Sequence, residues 1–299
     1  MKHLNNAVRA VRTRLVFGFF LALILAVSFS AVTASASVKY NNSFKKKNRY
    51  VVTCNHHYDN TYNTLAKCDT PKEARERIRK EPLGTRGQWY VWDSKEKKIV
   101  WPDLSTDKKK ISKIVQWSVA VGKDARHGYD TEGERFSNGC DLKWKRWGKC
   151  GDYGCSPLVE TPFELFGFFN MRTFAWNHHL TYYTSDRLGP LRGFNANNIV
   201  PVLRKSKKFK ELTSDYMRRG KSMLQPGDII VNSNQTHCAI VVTDHRIVEG
   251  NLNENGLEFQ RSKPGDQRGG YELSISHYSN PNFYFYRQIY YVFRPKTGK

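Results

Sequence analysis

The sequence predicts an α+β fold in which one helix packs on an antiparallel sheet. An apolar run that begins at Cys155 and ends near Gly167 indicates the helix. Three later runs are rich in β-branched residues and are separated by short polar segments, as is typical of neighbouring strands: 229–231, 237–242 and 246–251. Two further strands are indicated at 271–276 and 288–293. A helix followed by consecutive strands is the pattern of an α+β domain.

The first 36 residues form a predicted export signal. They combine a basic start, an apolar core and a small-residue cleavage site, which are Lys2 to Arg14, Leu15 to Val27, and Ala34-Ser35-Ala36. An uncleaved membrane anchor is the alternative, because the apolar stretch can be read as far as Val32. The short core and the cleavage site favour removal of the signal. We therefore expect a secreted protein.

Basic residues dominate the charge of the chain. The formal net charge is +22, and loss of the signal with its four basic residues leaves +18. Such a chain is attracted to polyanions, including nucleic acid, anionic lipid and acidic polymers. The lysine runs at 45–47, 108–110 and 205–210 are scattered, and no nucleic-acid fold signature accompanies them. A solvated surface is the alternative for each run, so we expect no specific nucleic-acid partner.

Residues 37–108 are predicted to form a small α+β module of unknown role. Residues 50–52 indicate a strand, and Thr70 followed by Pro71 and Glu73 has the pattern of a capped helix start. A β-hairpin is predicted from residues 88–92 and 98–101. Its aromatic side chains fit either a core or a sugar-stacking surface, and the small size of the module favours the core: Trp89, Tyr90, Trp92 and Trp101.

A second domain is assigned to residues 109–299, and a helix is predicted at its beginning. Apolar residues recur there at helical spacing: Ile111, Ile114, Val115 and Val119. Asp107 is the predicted N-cap of this helix, and Gly128 is predicted to close the segment. Tyr129, just beyond it, is a candidate hydrogen-bond donor to a ligand, with an ordinary half-buried position as the alternative.

Six cysteines in an exported chain suggest disulfides. We predict one pair between Cys54 and Cys68 and another between Cys140 and Cys150. A zinc site formed by Cys140, Cys150, Cys155 and a histidine is the competing hypothesis. It is disfavoured because the spacing contains no close Cys-x-x-Cys pair.

Cys155 is the candidate nucleophile of the chain. It is flanked by Gly154 and Ser156 at a predicted helix start, where the helix dipole favours thiolate over thiol. His237, near the beginning of a strand, is the candidate base. Glu249 on the next strand is the candidate group that orients the imidazole, and Asn251 is the reserve. Cys238 is predicted to point to the opposite face of its strand from His237, as an inert core residue.

Several motifs in fixed order closely resemble the papain-like NlpC-type peptidoglycan peptidases, especially the version found in phage endolysins. The principal ones are Cys155-Ser156-x-Leu158-Val159, Leu224-Gln225-Pro226-Gly227-Asp228-Ile229-Ile230, His237-x-Ala239-Ile240-Val241 and Ile247-Val248-Glu249. Further similar segments are Val115 to Ala120, His127 to Asp130, Arg146-Trp147-Gly148, Gly265-Asp266-Gln267 and Tyr278 to Pro281. The resemblance covers about residues 109 to 295.

The resemblance implies a papain-like fold, with the nucleophile-bearing helix packed on an antiparallel sheet. It also implies a cysteine peptidase or amidase in which Cys155 attacks a peptide bond, His237 transfers the proton and Glu249 orients His237, without metal or organic cofactor. Gly154 stands where the family commonly has an aspartate that, with the following serine, binds the substrate's free amine. Ser156 is retained, and Asp152 is the candidate replacement. Pro162 also departs from the pattern and is expected to kink or shorten the helix.

The expected function is therefore a secreted or wall-associated hydrolase that cleaves the stem peptide or cross-bridge of bacterial peptidoglycan. Its expected partners are peptidoglycan and anionic wall polymers, and we expect a monomer. Two alternatives stay open. One is a catalytically inactive basic wall-binding protein, and the other is a secreted toxin or transamidase that uses the same Cys155 and His237 pair.

Overall fold

A computed structural model describes the backbone of most of the chain beyond the predicted signal. The described residues are 48–55, 64–124, 153–180, 182–186, 189–193, 196–243, 246–252, 271–277 and 289–298. All of them belong to one compact unit, Lys45–Lys299. The predicted signal peptide, Tyr129, Asp152 and the predicted Cys140–Cys150 pair lie outside the described residues.

The first part of this unit is a four-stranded antiparallel sheet in the order β2-β1-β3-β4. Its elements are β1 (Tyr50–Thr53), β2 (Thr64–Cys68), α1 (Pro71–Arg79), α2 (Leu83–Arg86), β3 (Tyr90–Asp93) and β4 (Lys98–Trp101). The predicted strand, helix and hairpin are confirmed, whereas β2 was not predicted. Trp89 and Tyr90 are fully buried, in agreement with the core prediction for the hairpin aromatics.

Helix α1 begins as its sequence predicts. The Thr70 side chain accepts a hydrogen bond from the Glu73 backbone N–H, and Pro71 occupies the first helical position. Glu73 in turn accepts from the backbone N–H of Asp69, at 3.1 Å. These contacts satisfy backbone donors that a helix start leaves without partners inside the helix.

The predicted disulfide between Cys54 and Cys68 is wrong, because both residues are buried thiols that are not joined to each other. The antiparallel register explains the separation, since Cys68 pairs with Tyr50 at one end of β1 and Cys54 follows the other end. Four residues of extended chain span roughly 13 Å, whereas a disulfide requires Cα atoms within about 7 Å.

The larger part of the unit is built on a six-stranded antiparallel sheet in the order β11-β10-β9-β8-β12-β7. Its strands are β7 (Phe209–Glu211), β8 (Ile229–Asn232), β9 (Cys238–Val241), β10 (Arg246–Leu252), β11 (Tyr271–His277) and β12 (Ile289–Pro295). A separate hairpin is formed by β5 (Tyr182–Asp186) and β6 (Gly189–Gly193). The α+β class with antiparallel sheets is therefore confirmed.

Side chains on the central strands alternate between two buried clusters, as expected for extended backbone. One cluster includes Ile229, Val231, Cys238, Ile240 and Val248, together with side chains of the helices that cover this face. The other cluster lies on the opposite face and includes Ile230, Ala239, Val241, Ile247 and Val292. Both faces of the sheet centre are thus covered by apolar side chains.

Helices supply the rest of the larger part: α3 (Asp107–Lys123), α4 (Cys155–Leu165), α5 (Met171–Asn177), α6 (Ala196–Ser206) and α7 (Thr213–Arg219). A short 3₁₀ helix at Gly220–Met223 leads towards β8. The predicted N-cap of α3 is wrong by one residue, since Thr106 caps the helix by accepting from the Lys109 N–H. The helix also ends at Lys123, before the predicted Gly128. Helix α4 includes Pro162 and continues for three residues beyond it.

The four-stranded sheet is fixed to the helices of the larger part by hydrogen bonds from buried side chains. The Trp117 indole N–H donates to the Cys54 carbonyl at 2.8 Å, and the Asn55 amide donates to the Tyr153 hydroxyl at 2.8 Å. Lys113 Nζ donates to the carbonyls of Gly87 and Trp89, both at 2.8 Å.

Among the described residues, no helix is long and apolar enough to cross a membrane.

Candidate active site

Cys155 is the first residue of α4, as the sequence predicts. Gly154 is the N-cap and has an extended backbone conformation that does not require glycine, with φ of −71° and ψ of 175°. The helix packs on β9, and Cys155 is only 3% exposed. Its sulfur therefore lies at the positive end of a helix dipole and away from bulk water, where that dipole is weakly screened.

His237 immediately precedes β9 and is held there by the end of β8. Its backbone N–H donates to Asn232 Oδ1 at 2.9 Å, and its carbonyl accepts from the Asn232 N–H at 3.1 Å. The same amide oxygen accepts from the Thr236 N–H at 2.8 Å. One asparagine side chain thus fixes the turn that presents the histidine.

Glu249 on β10 faces the imidazole of His237. Its Oε2 lies 2.9 Å from His237 Nε2, and its side chain is fully excluded from solvent. Because Glu249 occupies Nε2, Nδ1 is the ring nitrogen left for the hydrogen bond between His237 and Cys155. The candidate nucleophile, base and orienting carboxylate are therefore linked in one chain of contacts.

The charges in this chain stabilise one another. Burial alone would lower the pKa of His237, but hydrogen bonds with Cys155 and Glu249 outweigh it and raise that pKa to about 10. The pKa of Cys155 lies well below its ordinary value because Cys238 and His237 both hydrogen-bond to the sulfur, against the opposing effect of burial. Near neutral pH the site therefore holds a thiolate beside an imidazolium.

The prediction that Cys238 is an inert core residue on the opposite face from His237 is wrong, because both side chains hydrogen-bond to the Cys155 sulfur. The residue is fully buried, as predicted, in the cluster that also contains Cys155. However, its thiol hydrogen-bonds to the Cys155 sulfur, so it is part of the surroundings of the nucleophile and not only of the core. The contact arises because the face of β9 that carries Cys238 is the face on which α4 packs.

Of the four predicted substrate-binding residues, the structure describes the side chain of Ser156 and the backbone of Asn251. Ser156 is fully buried, and its Oγ lies 3.8 Å from the Cys155 sulfur. It contacts the nucleophile and presents no exposed hydroxyl to a ligand. The backbone of Asn251 lies in β10 opposite Glu272, and Asp152 and Tyr129 lie outside the described residues.

Two supports of the site were missed by the sequence analysis. Arg294 on β12 forms a bidentate ion pair with Asp228, with Nε–Oδ1 and Nη2–Oδ2 distances of 2.8 and 2.7 Å. Asp228 is fully buried and also accepts from the Gln225 N–H at 2.9 Å. Asn232 is the second support. In the sequence, Asp228 and Asn232 are visible only as polar residues at the two ends of the apolar run 229–231. Such a pattern marks the ends of a strand but does not identify a partner for either side chain.

A second group of ionisable side chains lies further along α4. Arg172 on α5 pairs with Glu160, which is buried, and Glu164 lies one helical turn beyond Glu160. Burial, followed by repulsion from Glu160, raises the pKa of Glu164 to about 7. This group connects α4 to α5.

Comparison with known proteins leaves the family open. No protein-family model, curated protein or solved structure matches the chain.

Proposed function

We propose that the protein is a secreted cysteine hydrolase that cleaves peptide bonds of bacterial peptidoglycan, in the stem peptide or the cross-bridge. The observation that carries the hydrolase assignment is the hydrogen-bonded series from Cys155 through His237 to Glu249. A thiolate at a helix start, a histidine in contact with it and a carboxylate on the far ring nitrogen are the three parts of a cysteine-dependent acyl transfer site.

The reaction begins with attack of the Cys155 thiolate on the carbonyl carbon of the peptide bond. The carbonyl electron pair moves to oxygen, and the backbone N–H of Cys155 at the helix start is the first candidate donor to that oxygen. When the intermediate collapses, the C–N bond breaks and the leaving amine takes the Nδ1 proton of His237. A thioester between Cys155 and the acyl group remains.

Water completes the turnover. Neutral His237 removes a proton from a water molecule, whose oxygen attacks the thioester carbon. Collapse of this second intermediate breaks the C–S bond and releases a carboxylic acid. The thiolate of Cys155 and the imidazolium of His237 are restored, so the site returns to its starting protonation.

Glu249 serves the cycle by holding His237. A carboxylate that is fully buried is unfavourable unless it is paired, and its pairing with Nε2 fixes both the ring orientation and its charge. A protein that used this surface only to bind a wall polymer would gain nothing from such a pair. The buried pair therefore favours the enzyme over the inactive alternative.

Peptidoglycan as the substrate is supported by the sequence resemblance and by charge. The motifs around Cys155, His237 and Glu249 resemble peptidoglycan peptidases, and the expected mature charge of +18 would draw the protein to anionic wall polymers. Ser156 is buried against the nucleophile. Its hydroxyl is not exposed where it could bind the amine of a stem peptide, so we do not propose that Ser156 and an aspartate recognise this amine.

The proposal is tested by digestion of purified peptidoglycan sacculi with the mature protein, beside a Cys155→Ala variant. Released fragments are identified by mass spectrometry in heavy-oxygen water. Expected are new carboxyl ends that contain the heavy oxygen and depend on Cys155. New amide bonds without heavy oxygen would favour the transamidase, and intact sacculi that retain folded protein would favour the wall-binding alternative.

A further inference from the structure

A second thiol lies beside the candidate nucleophile. Cys238, the first residue of β9, is fully buried in the same cluster as Cys155, and α4 packs directly on this strand. The Cys238 side chain hydrogen-bonds to the Cys155 sulfur. Neither cysteine is joined to the other by a disulfide in the structure.

The pairing follows from strand alternation. Cys238 and Ile240 project towards α4, whereas Ala239 and Val241 project into the cluster on the other face of the sheet. Because Cys238 pairs with Val231 of β8 inside the sheet, its backbone position is fixed by that strand. The thiol is thus held against the start of α4, in a position that does not depend on a loop.

Chemistry distinguishes the two sulfurs. Cys155 is favoured as a thiolate by His237 and by the helix start, so it is the sulfur that an oxidant attacks first. Cys238 is the thiol that hydrogen-bonds to this sulfur. An attacked thiolate with a second thiol in contact is the arrangement in which a sulfenic acid is converted to a disulfide.

We propose that Cys155 and Cys238 form a reversible redox pair, in which Cys238 closes a disulfide with Cys155 after peroxide oxidises the nucleophile. The switching consequence rests on the proposed function: the disulfide consumes the nucleophile, so the oxidised protein is an inactive hydrolase that a thiol reductant reactivates. An exported protein meets oxidising conditions, and such a pair protects Cys155 from irreversible oxidation.

The steps balance as follows. The Cys155 thiolate attacks one oxygen of hydrogen peroxide, the O–O bond breaks, and Cys155 sulfenic acid and hydroxide form. Cys238 then loses its proton and attacks the Cys155 sulfur, forming the S–S bond and expelling hydroxide, which takes that proton to give water. The two sulfurs lose two electrons in total, and peroxide gains them. A dithiol reductant reverses the oxidation by two exchange steps.

The described cysteines offer a matched control. Cys54 and Cys68 are also buried, but they belong to the core of the four-stranded sheet and not to the cluster around Cys155. Burial, followed by the nearby Glu73 charge, raises the pKa of Cys68 to about 11. A Cys68→Ala variant therefore removes a buried thiol without removing the partner of Cys155.

The test treats the mature protein with hydrogen peroxide, blocks remaining thiols with iodoacetamide and digests without reduction at aspartate N-termini. Such cleavage isolates Cys155 in residues 152–185 and Cys238 in residues 228–243, each with a single cysteine. Expected is a linked pair of these two peptides, lighter than their sum by two hydrogen atoms, that separates on reduction. This readout is independent of hydrolase activity, so it stands or fails apart from the proposed function.

Variants sharpen the result. All three proteins are treated with peroxide and then reduced. Wild type and Cys68→Ala are expected to yield about tenfold more alkylatable Cys155 than Cys238→Ala, because without Cys238 the oxidation of Cys155 proceeds to the irreversible sulfinic acid. Circular dichroism checks that each variant is folded, and the wild-type linked peptide decides the question if Cys238→Ala is not. Sulfinic acid at Cys155 of the wild type, with Cys238 still alkylatable, would overturn the proposal.

Discussion

The Glu249 carboxylate lies 2.9 Å from Nε2 of His237, on a side chain that water does not reach. This contact joins β10 to the turn that precedes β9. It leaves the second ring nitrogen of His237, Nδ1, for the hydrogen bond with Cys155 at the start of α4. Since the carboxylate is buried, its charge acts on His237 with little screening. The charge of His237 consequently depends on this hydrogen bond together with the one to Cys155.

Removal of the Glu249 charge is expected to disable the site while preserving its shape. Glu249→Gln keeps a hydrogen-bonding group of the same size but no longer stabilises the imidazolium, so the pKa of His237 falls and that of Cys155 rises. We expect kcat/KM on sacculus fragments to fall by about a hundredfold or more. Glu211→Gln is the matched control, because Glu211 on β7 is an exposed carboxylate paired with Arg204 on α6. An equal loss in both variants would contradict the assignment.

The raised pKa of His237 predicts a pH-dependent contribution to stability. A histidine whose pKa is about 10 in the folded state and about 6.5 in the unfolded state stabilises the fold fully below about pH 6.5. That contribution is lost as pH rises towards 10. The lowered pKa of Cys155 contributes in the opposite sense up to about pH 8.5, so the difference in unfolding free energy between wild type and His237→Gln is expected to fall between about pH 8.5 and about pH 10.5.

Urea unfolding at several pH values measures this difference. The comparison with the variant is needed because Lys113, whose pKa burial lowers to about 7, changes stability in the opposite direction over the same pH range. The contribution of Lys113 is common to both proteins and cancels in the difference. A difference that stays constant with pH would show that His237 is not charged through Glu249 and Cys155.

The ion pair between Asp228 and Arg294 is expected to be essential for the sheet. Arg294→Met leaves a fully buried carboxylate without its cation, and such a loss typically costs about 3–5 kcal/mol. The cost should shrink at acid pH, where Asp228 can take up a proton. Denaturant unfolding measures the effect, and Arg204→Met, which breaks an exposed pair with Glu211, is expected to cost less than about 1 kcal/mol.

Gly227 is expected to resist substitution. Its φ of +94° lies in a region that side chains disfavour, and a Cβ there would lie 2.7 Å from Ile111 Cγ2 on α3. Gly227→Ala should lower the free energy of unfolding by about 1–3 kcal/mol through backbone strain and displacement of the helix. Gly84→Ala, where the nearest atom is the Lys123 Cδ at 3.6 Å, is the control and is expected to have a smaller effect.

Local chemistry made much of the fold predictable. The Thr70, Pro71 and Glu73 cap specifies α1, and the Pro226-Gly227 turn specifies the entry to β8, because each depends only on neighbours in sequence. The series Cys155, His237 and Glu249 was also predictable, since each residue occupies the end of an element or an adjacent strand.

Features that depend on register or on packing between elements were not predictable. The predicted Cys54–Cys68 disulfide was wrong because the antiparallel register places the two cysteines at opposite ends of β1. Their short separation in sequence does not reveal that register. The contact between Cys238 and Cys155 was missed because strand alternation was extended to His237, which lies just before β9 and is not part of the strand. Arg294 lies 66 residues from Asp228, and no local pattern joins them.

The most direct test of the account is the thiolate absorbance of Cys155 in the ultraviolet, taken as the difference between wild type and Cys155→Ala across a pH series. We expect a thiolate signal that is already present at about pH 7 and disappears only well below the ordinary cysteine pKa of about 8.5. A signal that is absent at neutral pH and appears only above about pH 8.5 would contradict it, since Cys155 would then be an ordinary buried thiol.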